Sequence, residues 1–313
     1  MSGPGPSGGR MRIAINASAE LLHADLGRLR EHAERAADDG FSGWWLAQTG
    51  LVDALTAFTA LANTAPGLEF GTAVVPTYPR HPTALAGQAL TTAAALGDRS
   101  LVLGIGLSHR PVIEGMLGLS FEKPIRHLID YLAVLQPLLE SGSVSFDGEA
   151  FTAHVDTGRP TDRPPSVMVA ALGEQALRVA GHHTDGTILW MVGPRTVASH
   201  IAPRMNEAAA AAGRAAPRIV CSLPTCVTDD VEAARSAAAA VFEIYGQLPS
   251  YRAMLDREGV DHPGEVAIVG TEEEVAAQLA DLAEAGVTDF AALEFGTTAD
   301  ESARTRALLV SQL

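Results

Sequence analysis

Long hydrophobic runs are missing from this sequence of 313 residues. No apolar run approaches the ~18 residues that a membrane-spanning helix needs. The first ten residues, MSGPGPSGGR, also lack a hydrophobic segment, so we expect a disordered tail over 1–10 rather than a secretory signal. These absences predict a cytoplasmic globular chain with one folded domain over 11–313.

Basic residues are scarce as well. The chain has 22 Lys and Arg against 37 Asp and Glu, a formal net charge of −15. Nucleic acids and anionic membranes need basic faces on their partners, so neither is expected to bind here. A small anionic ligand is compatible with this charge if backbone amides, helix N-termini and a few arginines compensate it locally.

Cysteine is almost absent, and the two residues present, Cys221 and Cys226, are five positions apart in a strand-like run. An odd spacing places them on opposite faces of a strand, so we expect two reduced thiols rather than a disulfide. Neither H-E-x-x-H nor C-x-x-C occurs, and no metal site is predicted.

The chain does contain a regular alternation of β-like runs and helical stretches. Strands apolar on both faces are typical of parallel sheets covered by helices. Eight such units predict an α/β fold, a single (β/α)8 TIM barrel, with a doubly wound sheet as the alternative. The predicted strands are 11–17, 42–48, 68–76, 100–106, 165–171, 186–192, 217–228 and 288–295.

Two segments interrupt this alternation. Residues 143–156 alternate apolar and polar around Asp147-Gly148, which predicts an inserted hairpin. Residues 246–270 extend the seventh connection. Each insertion either covers the barrel mouth or decorates the outside. Two helix starts are also predicted, with Asp229 and Thr271 as N-caps facing Glu232 and Glu274.

The stretch LVLGIGLSHR (101–110) ends the fourth predicted strand. It is not a dinucleotide loop, because His109 stands where the third glycine belongs. It is not a nucleophile elbow, because Arg110 stands where that motif needs glycine. As a strand end, it places Gly104 and Gly106 on one face, where they either admit a flat ligand or relieve crowding inside the barrel.

Two further strand ends run through glycine into a helix N-terminus, at Gly173 and at Gly193-Pro194-Arg195. Taken alone, each of these glycines is explained by the requirements of an ordinary turn. Because they occur in adjacent units, together they predict an anion site for a phosphate.

Four segments resemble the luciferase-like family of coenzyme F420-dependent oxidoreductases: GTAVVPTYPRHP (71–82), LVLGIGLSHRPVIEGMLG (101–118), VMVAALGEQALRVAG (167–181) and AIVGTEEEVAAQLADLAEAGVTDF (267–290). The resemblance implies a TIM barrel with insertions that binds coenzyme F420 at its mouth. It implies hydride transfer from the deazaflavin C5 of F420H2 to an activated C=C or C=N of a small molecule, in a homodimer. An FMN-dependent monooxygenase and a non-catalytic cofactor- or partner-binding barrel remain alternatives.

The resemblance also implies site residues. Candidate catalytic residues are His109, Tyr78 and Gln48, with His109 either donating a proton or hydrogen-bonding the cofactor. Ala47-Gln48 stands where sugar-phosphate-oxidising relatives carry an Asp-His pair, which argues against that activity. A bulge with a non-prolyl cis peptide is implied at Ala73–Val74.

Substrate contacts are expected from Trp45, Tyr78 and Trp190. Of Trp44 and Trp45, one is expected in the core and the other at the mouth. The implied cofactor contacts are Gln48, Ala73, Val74, Gly104, Gly106, Leu107, Ser108, His109, Ala171, Leu172, Gly173, Gly193, Pro194 and Arg195.

Overall fold

The computed structural model describes residues 10–313, so positions 1–9 of the predicted tail lie outside it. Within this range every helix is too short or too polar to cross a membrane. The strands are β1 (Arg12–Asn16), β2 (Gly43–Leu46), β3 (Glu69–Thr72), β4 (Val75–Pro76), β5 (Leu101–Gly106), β6 (Ser143–Asp147), β7 (Thr152–Asp156), β8 (Ser166–Ala170), β9 (Gly186–Trp190), β10 (Arg218–Ser222), β11 (Pro224–Val227), β12 (Ile268–Gly270) and β13 (Asp289–Glu294).

Eight of these strands form a closed parallel barrel in the order β1-β2-β3-β5-β8-β9-β10-β13. The barrel closes because the first and last strands pair, with Ile13 beside Phe290. The predicted (β/α)8 barrel is therefore confirmed, and the doubly wound alternative is excluded.

Helices follow the strands on the outside of the barrel. Short 3₁₀ turns cover Ser18–His23 and Pro263–Val266, and π-helical turns cover Pro111–Met116 and Val197–Ile201. The α-helices are α1 (Leu26–Asp38), α2 (Ala54–Ala60), α3 (Pro82–Leu96), α4 (Pro124–Ser141), α5 (Glu174–His183), α6 (Pro194–Thr196), α7 (Ala202–Ala211), α8 (Val231–Val241), α9 (Glu243–Gln247), α10 (Pro249–Glu258), α11 (Glu272–Glu284) and α12 (Ala299–Ser311).

The predicted seventh strand, 217–228, is broken at Leu223 into β10 and β11. Pro224 has no N–H to continue the ladder, and β11 moves outward to pair with β12. Cys221 and Cys226 lie on the two pieces and are both unpaired and buried, as predicted.

The two predicted helix starts have different outcomes. Thr271 and Glu274 form the expected capping box of α11. At α8 the predicted cap is wrong by one position, because Asp230 accepts from the Ala233 N–H. Asp229 instead pairs with Arg304.

The hairpin predicted at 143–156 is confirmed as β6–β7, outside the barrel. Its turn spans Gly148 to Phe151, where the Gly148 N–H donates to the Phe151 carbonyl. The buried Asp130 of α4 accepts from the Ala150 N–H at 2.8 Å. The hairpin is therefore anchored on the helix that precedes it.

The barrel interior holds a small apolar cluster with Trp45 at its centre: Ala14, Trp45, Val102, Met168, Ile188, Val220 and Ala291. Trp44 points the other way, into the layer between barrel and helices. There its indole N–H donates to His32 and its ring meets Phe58 and Phe70 edge-on. Both tryptophans are buried, at 0% and 1% exposure, so the expectation that one faces the mouth is not met.

Four charged residues close the opposite, N-terminal end of the barrel. Arg218, at the start of β10, reaches Glu69 at 2.8 Å and Asp289 at 2.6 Å. Arg12 contacts the same two carboxylates. Because the Asp289 and Glu69 side chains are only 3% and 12% exposed, each depends on these guanidinium groups for its charge compensation.

We expect Arg218→Met to lower the free energy of unfolding by roughly 3 kcal/mol, because it leaves buried carboxylates with one guanidinium fewer. The matched control is Arg163→Met, since Arg163 pairs with Asp98 at the surface and such pairs contribute at most about 1 kcal/mol. Urea denaturation measures both. Equal losses in the two variants would contradict the role assigned to the cluster.

Candidate functional site

The candidate site is the barrel mouth, where the carboxyl ends of the parallel strands meet. Its floor contains a polar pair that the sequence analysis missed, Asn16 and Ser222. The Asn16 amide donates to Ser222 Oγ at 2.8 Å, and Ser222 donates to the Ala291 carbonyl at 2.6 Å. The alternation along β1 would have predicted an inward Asn16, because Ala14 two residues earlier is inside the barrel.

The third strand is interrupted at the rim, between β3 and β4, as the resemblance implies. The Ala73–Val74 peptide bond is cis. Val74 packs on the barrel-interior cluster, and its carbonyl accepts the Gln48 N–H. Val74 thus adjoins the interior cluster, and its Cγ2 lies beside Gly106.

The two glycines of β5 share the inward face, and each is in close contact with atoms of a neighbouring strand. A Cβ at Gly104 would overlap the Thr72 carbonyl oxygen and Ile188 Cδ1, and one at Gly106 would lie 2.6 Å from Val74 Cγ2. At Gly104 the glycine therefore relieves crowding in the barrel. At Gly106 it makes room for the Val74 side chain.

Leu107, Ser108 and His109 follow at the rim and are partly buried. Ser108 has φ +60°, and the His109 carbonyl accepts the N–H groups of Val112 and Ile113. The His109 ring lies 5.4 Å from the Tyr251 ring. Burial lowers the pKa of His109 below its usual 6.5, so the imidazole is neutral at neutral pH.

The Gln48 side chain is fully engaged within its own loop. Its amide nitrogen donates to the carbonyls of Gly50 and Val52, and its oxygen accepts the Ala54 N–H at 2.9 Å. Gln48 thereby fixes the start of α2. In this structure both of its N–H donors are used, and only one acceptor position of Oε1 is left for the catalytic role expected of it.

Tyr78 lies in an aromatic stack, with His127 at 3.9 Å and Phe121 at 5.1 Å between ring centroids. Its Oη is buried and has no hydrogen-bond partner among the described residues. Burial raises the pKa of Tyr78 above 10. His127 bonds Thr77 Oγ1 at 3.0 Å, and burial lowers the pKa of His127 to about 4. The stack therefore presents a neutral phenol.

The N-terminus of α5 is open. Gly173 is exposed, no side chain caps the helix, and nothing lies within 4 Å of a Cβ built there. Ala171 before it is buried, and the Leu172 carbonyl accepts from His200 Nε2 at 2.7 Å. Burial is the main cause of the lowered pKa of His200; the charges of Arg257 and Arg204 lower this pKa further, and Glu174 at the start of α5 opposes them.

The N-terminus at Gly193-Pro194-Arg195 is filled by a carboxylate of the protein itself. Glu258, 6% exposed, accepts the N–H groups of Arg195 at 3.1 Å and Thr196 at 2.7 Å. This corrects the expectation that both turns offer their amides to a phosphate. Sequence reasoning missed Glu258 because it lies 62 residues beyond Thr196.

The second insertion covers the mouth, one of the two placements that the sequence left open. We call α9 and α10 the cover helices. Their Tyr245 and Tyr251 pack together at 4.9 Å, and Tyr245 lies 5.9 Å from Trp190 at the end of β9. Phe242 meets Trp190 edge-on at 5.4 Å. Of the three expected substrate residues, Trp190 thus lies beneath the cover helices, Tyr78 packs on His127, and Trp45 is inside the barrel.

The two glycines of β5 predict different responses to alanine. Gly104→Ala is expected to lower the free energy of unfolding by at least about 3 kcal/mol, because the new methyl meets backbone that cannot move aside. Gly106→Ala is expected to cost about 1 kcal/mol, because the Val74 side chain can rotate. Thermal unfolding followed by circular dichroism compares them, and equal costs would contradict this description of the rim.

Comparison with known proteins places these features in context. The profile of the luciferase-like monooxygenase family matches residues 10–289. The 5,10-methylenetetrahydromethanopterin reductase of Methanolobus tindarius is 24% identical over 250 residues, covering 78% of this chain and 74% of the reductase.

Two solved structures have the same fold. An F420-dependent secondary alcohol dehydrogenase in complex with an F420-acetone adduct matches with TM-score 0.77 and 19% identity, covering 97% of this chain and 99% of the other. The oxygenating constituent of 3,6-diketocamphane monooxygenase from Pseudomonas putida, in complex with FMN, matches with TM-score 0.76 and 15% identity, covering 96% of each chain.

Proposed function

We propose a function from the premise that this chain belongs to the luciferase-like monooxygenase family. The proposed function is that of an F420-dependent oxidoreductase. In the proposed direction it is an F420H2-dependent reductase that reduces an activated C=C or C=N bond of a small molecule. The F420-dependent dehydrogenase of the same fold and the methanopterin reductase among the relatives support this choice.

The observation that carries the proposal is the uncapped and exposed N-terminus of α5. Of the two adjacent turns, the one at Gly193 is filled by Glu258, whereas the one at Gly173 is uncapped and exposed. Arg204 and Arg257 act on His200, which bonds this loop, and add positive charge, while Glu174 in the first turn of α5 adds negative charge. A protein of net charge −15 thereby keeps one anion position at its mouth, which suits a cofactor with a phosphate in its tail.

The wall beside this position suits a flat ring. Val74, supported from below by Gly106, presents an aliphatic surface at the mouth. Leu107 and His109 continue that rim from β5. These residues would bracket a ring system, while Gly173 and the α5 amides would hold its phosphate.

When bound, reduced F420 supplies the hydride from C5 of its deazaflavin. The chain must position the acceptor and supply a proton. His109 is poorly suited to donate at neutral pH, because its lowered pKa leaves it neutral. Tyr78 stays protonated because burial raises its pKa, and its Oη has an unused hydrogen. We assign the proton-donor role to Tyr78, and to His109 a neutral contact with the ring.

A cofactor-reoxidation screen tests the proposed function. Purified protein is mixed with reduced F420 in the absence of oxygen, and the absorbance of the oxidised cofactor is followed with enones, imines and dehydroamino acids. Substrate-dependent reoxidation is the expected result. Oxygen consumption with reduced FMN instead would favour an FMN-dependent monooxygenase, and tight binding without turnover would favour a non-catalytic barrel.

Tyr78→Phe is expected to lower kcat about 100-fold, the usual contribution of a positioned proton donor. Stability should be unchanged or up to about 1 kcal/mol higher, because a buried hydroxyl without a partner is removed. Steady-state kinetics and urea denaturation measure the two effects.

Tyr131→Phe is the matched control, from the same aromatic group. Its hydroxyl donates to the Arg80 carbonyl at 3.1 Å, so its loss should cost about 1 kcal/mol of stability and leave kcat unchanged. If Tyr78→Phe keeps its turnover, or if both variants lose turnover equally, Tyr78 is not the donor.

A further inference from the structure

The Glu258 carboxylate connects the end of α10 to the turn that follows β9. It ends α10, and it bonds the first amides of the helical run that begins at Pro194. Thr196 Oγ1 also donates to the Met254 carbonyl of α10 at 3.2 Å. The last turn of α10 is thereby fixed to the turn that follows β9.

The charge of Glu258 is compensated by the backbone. Among residues 10–313, no Lys, Arg or His nitrogen lies within ion-pair distance of the carboxylate. Two amide N–H groups and the positive end of the helix dipole stabilise it instead. Gly193 is part of this arrangement, because a Cβ there would lie 2.5 Å from Glu258 Oε1.

The same helix carries an aromatic contact to the rim. Tyr251, near the start of α10, packs on His109, and it also packs on Tyr245 of α9. A helix of ten residues is a rigid element about 15 Å long. Its orientation, and hence the place of Tyr251 over His109, therefore depends on the attachment at its Glu258 end.

We propose that Glu258 is a positioning residue of the mouth. Its carboxylate occupies the anion position of the turn at 193–196 and so holds the cover helices closed, with Tyr251 against His109. The consequence for turnover rests on the proposed function, whereas the attachment itself does not. Removing the carboxylate should leave an anion position that a small carboxylate can fill again.

There is room for such a replacement. A cavity of about 220 Å³ adjoins the turn and is lined in part by Gly193, Arg195, Glu258 and Asp281. Formate carries the two oxygens of the lost carboxylate and is small enough for this space. Chloride provides charge without that geometry.

The test is hydrogen exchange of the cofactor-free protein, followed by mass spectrometry. In Glu258→Ala, exchange of the Arg195 and Thr196 amides and of 249–258 should accelerate at least tenfold. Formate should restore protection, and chloride at equal ionic strength should not. Glu258→Gln, which keeps one acceptor oxygen, should lie between Glu258→Ala and the unaltered protein.

Asp281→Ala is the matched control, since it removes a charge from the same cavity without touching the turn. It should leave exchange unchanged. With reduced F420 and a substrate found in the screen, Glu258→Ala should lose kcat about tenfold and regain it with formate.

The two proposals can fail separately. Unchanged exchange in both Glu258 variants, or equal restoration by chloride, would overturn the role of Glu258 whatever the cofactor. Formate-restored exchange in a protein that never uses F420 would leave Glu258 as the anchor of the cover helices and overturn the proposed function alone.

Discussion

The packing of Trp45 inside the barrel is the constraint on which the mouth depends. The indole fills the centre of the interior, and the neighbouring strand accommodates it with Gly71, where a Cβ would overlap the ring. Higher in the same barrel, Ile188 and the Thr72 carbonyl occupy the space over Gly104. Above this layer the interior is polar at Asn16 and Ser222. The packed layer thus serves as the floor of the site.

Buried carboxylates are compensated by different groups at the two ends of the barrel. At the N-terminal end, guanidinium groups compensate Glu69 and Asp289. At the mouth, Glu258 is compensated by backbone amides. This difference has a consequence for ligands, because an amide pair that already holds a carboxylate cannot also hold a phosphate. The proposed function therefore assigns the phosphate to the uncapped N-terminus of α5 at Gly173.

The fold could be predicted from the sequence because its signals are local. Apolar runs predict the strands, and the capping box at Thr271 and Glu274 marks a helix start within four residues. Prediction from local sequence failed where a residue distant in the sequence determines the contacts of a turn. Gly193 looked like a phosphate turn, and nothing within its own unit reveals that Glu258 will fill it. Gln48 was expected to offer its side chain to the site, whereas three of its four possible side-chain hydrogen bonds go to the loop that follows it.

The two insertions contact the surroundings of different candidate proton donors, the hairpin near Tyr78 and the cover helices at His109. Phe151 of the hairpin packs edge-on against His127, which stacks on Tyr78. The hairpin therefore supports the ring of Tyr78 through His127. The cover helices contact His109 through Tyr251, and burial lowers the pKa of His109. Under the proposed function, these environments favour Tyr78 over His109 as the proton donor, because burial keeps the phenol protonated and the imidazole neutral.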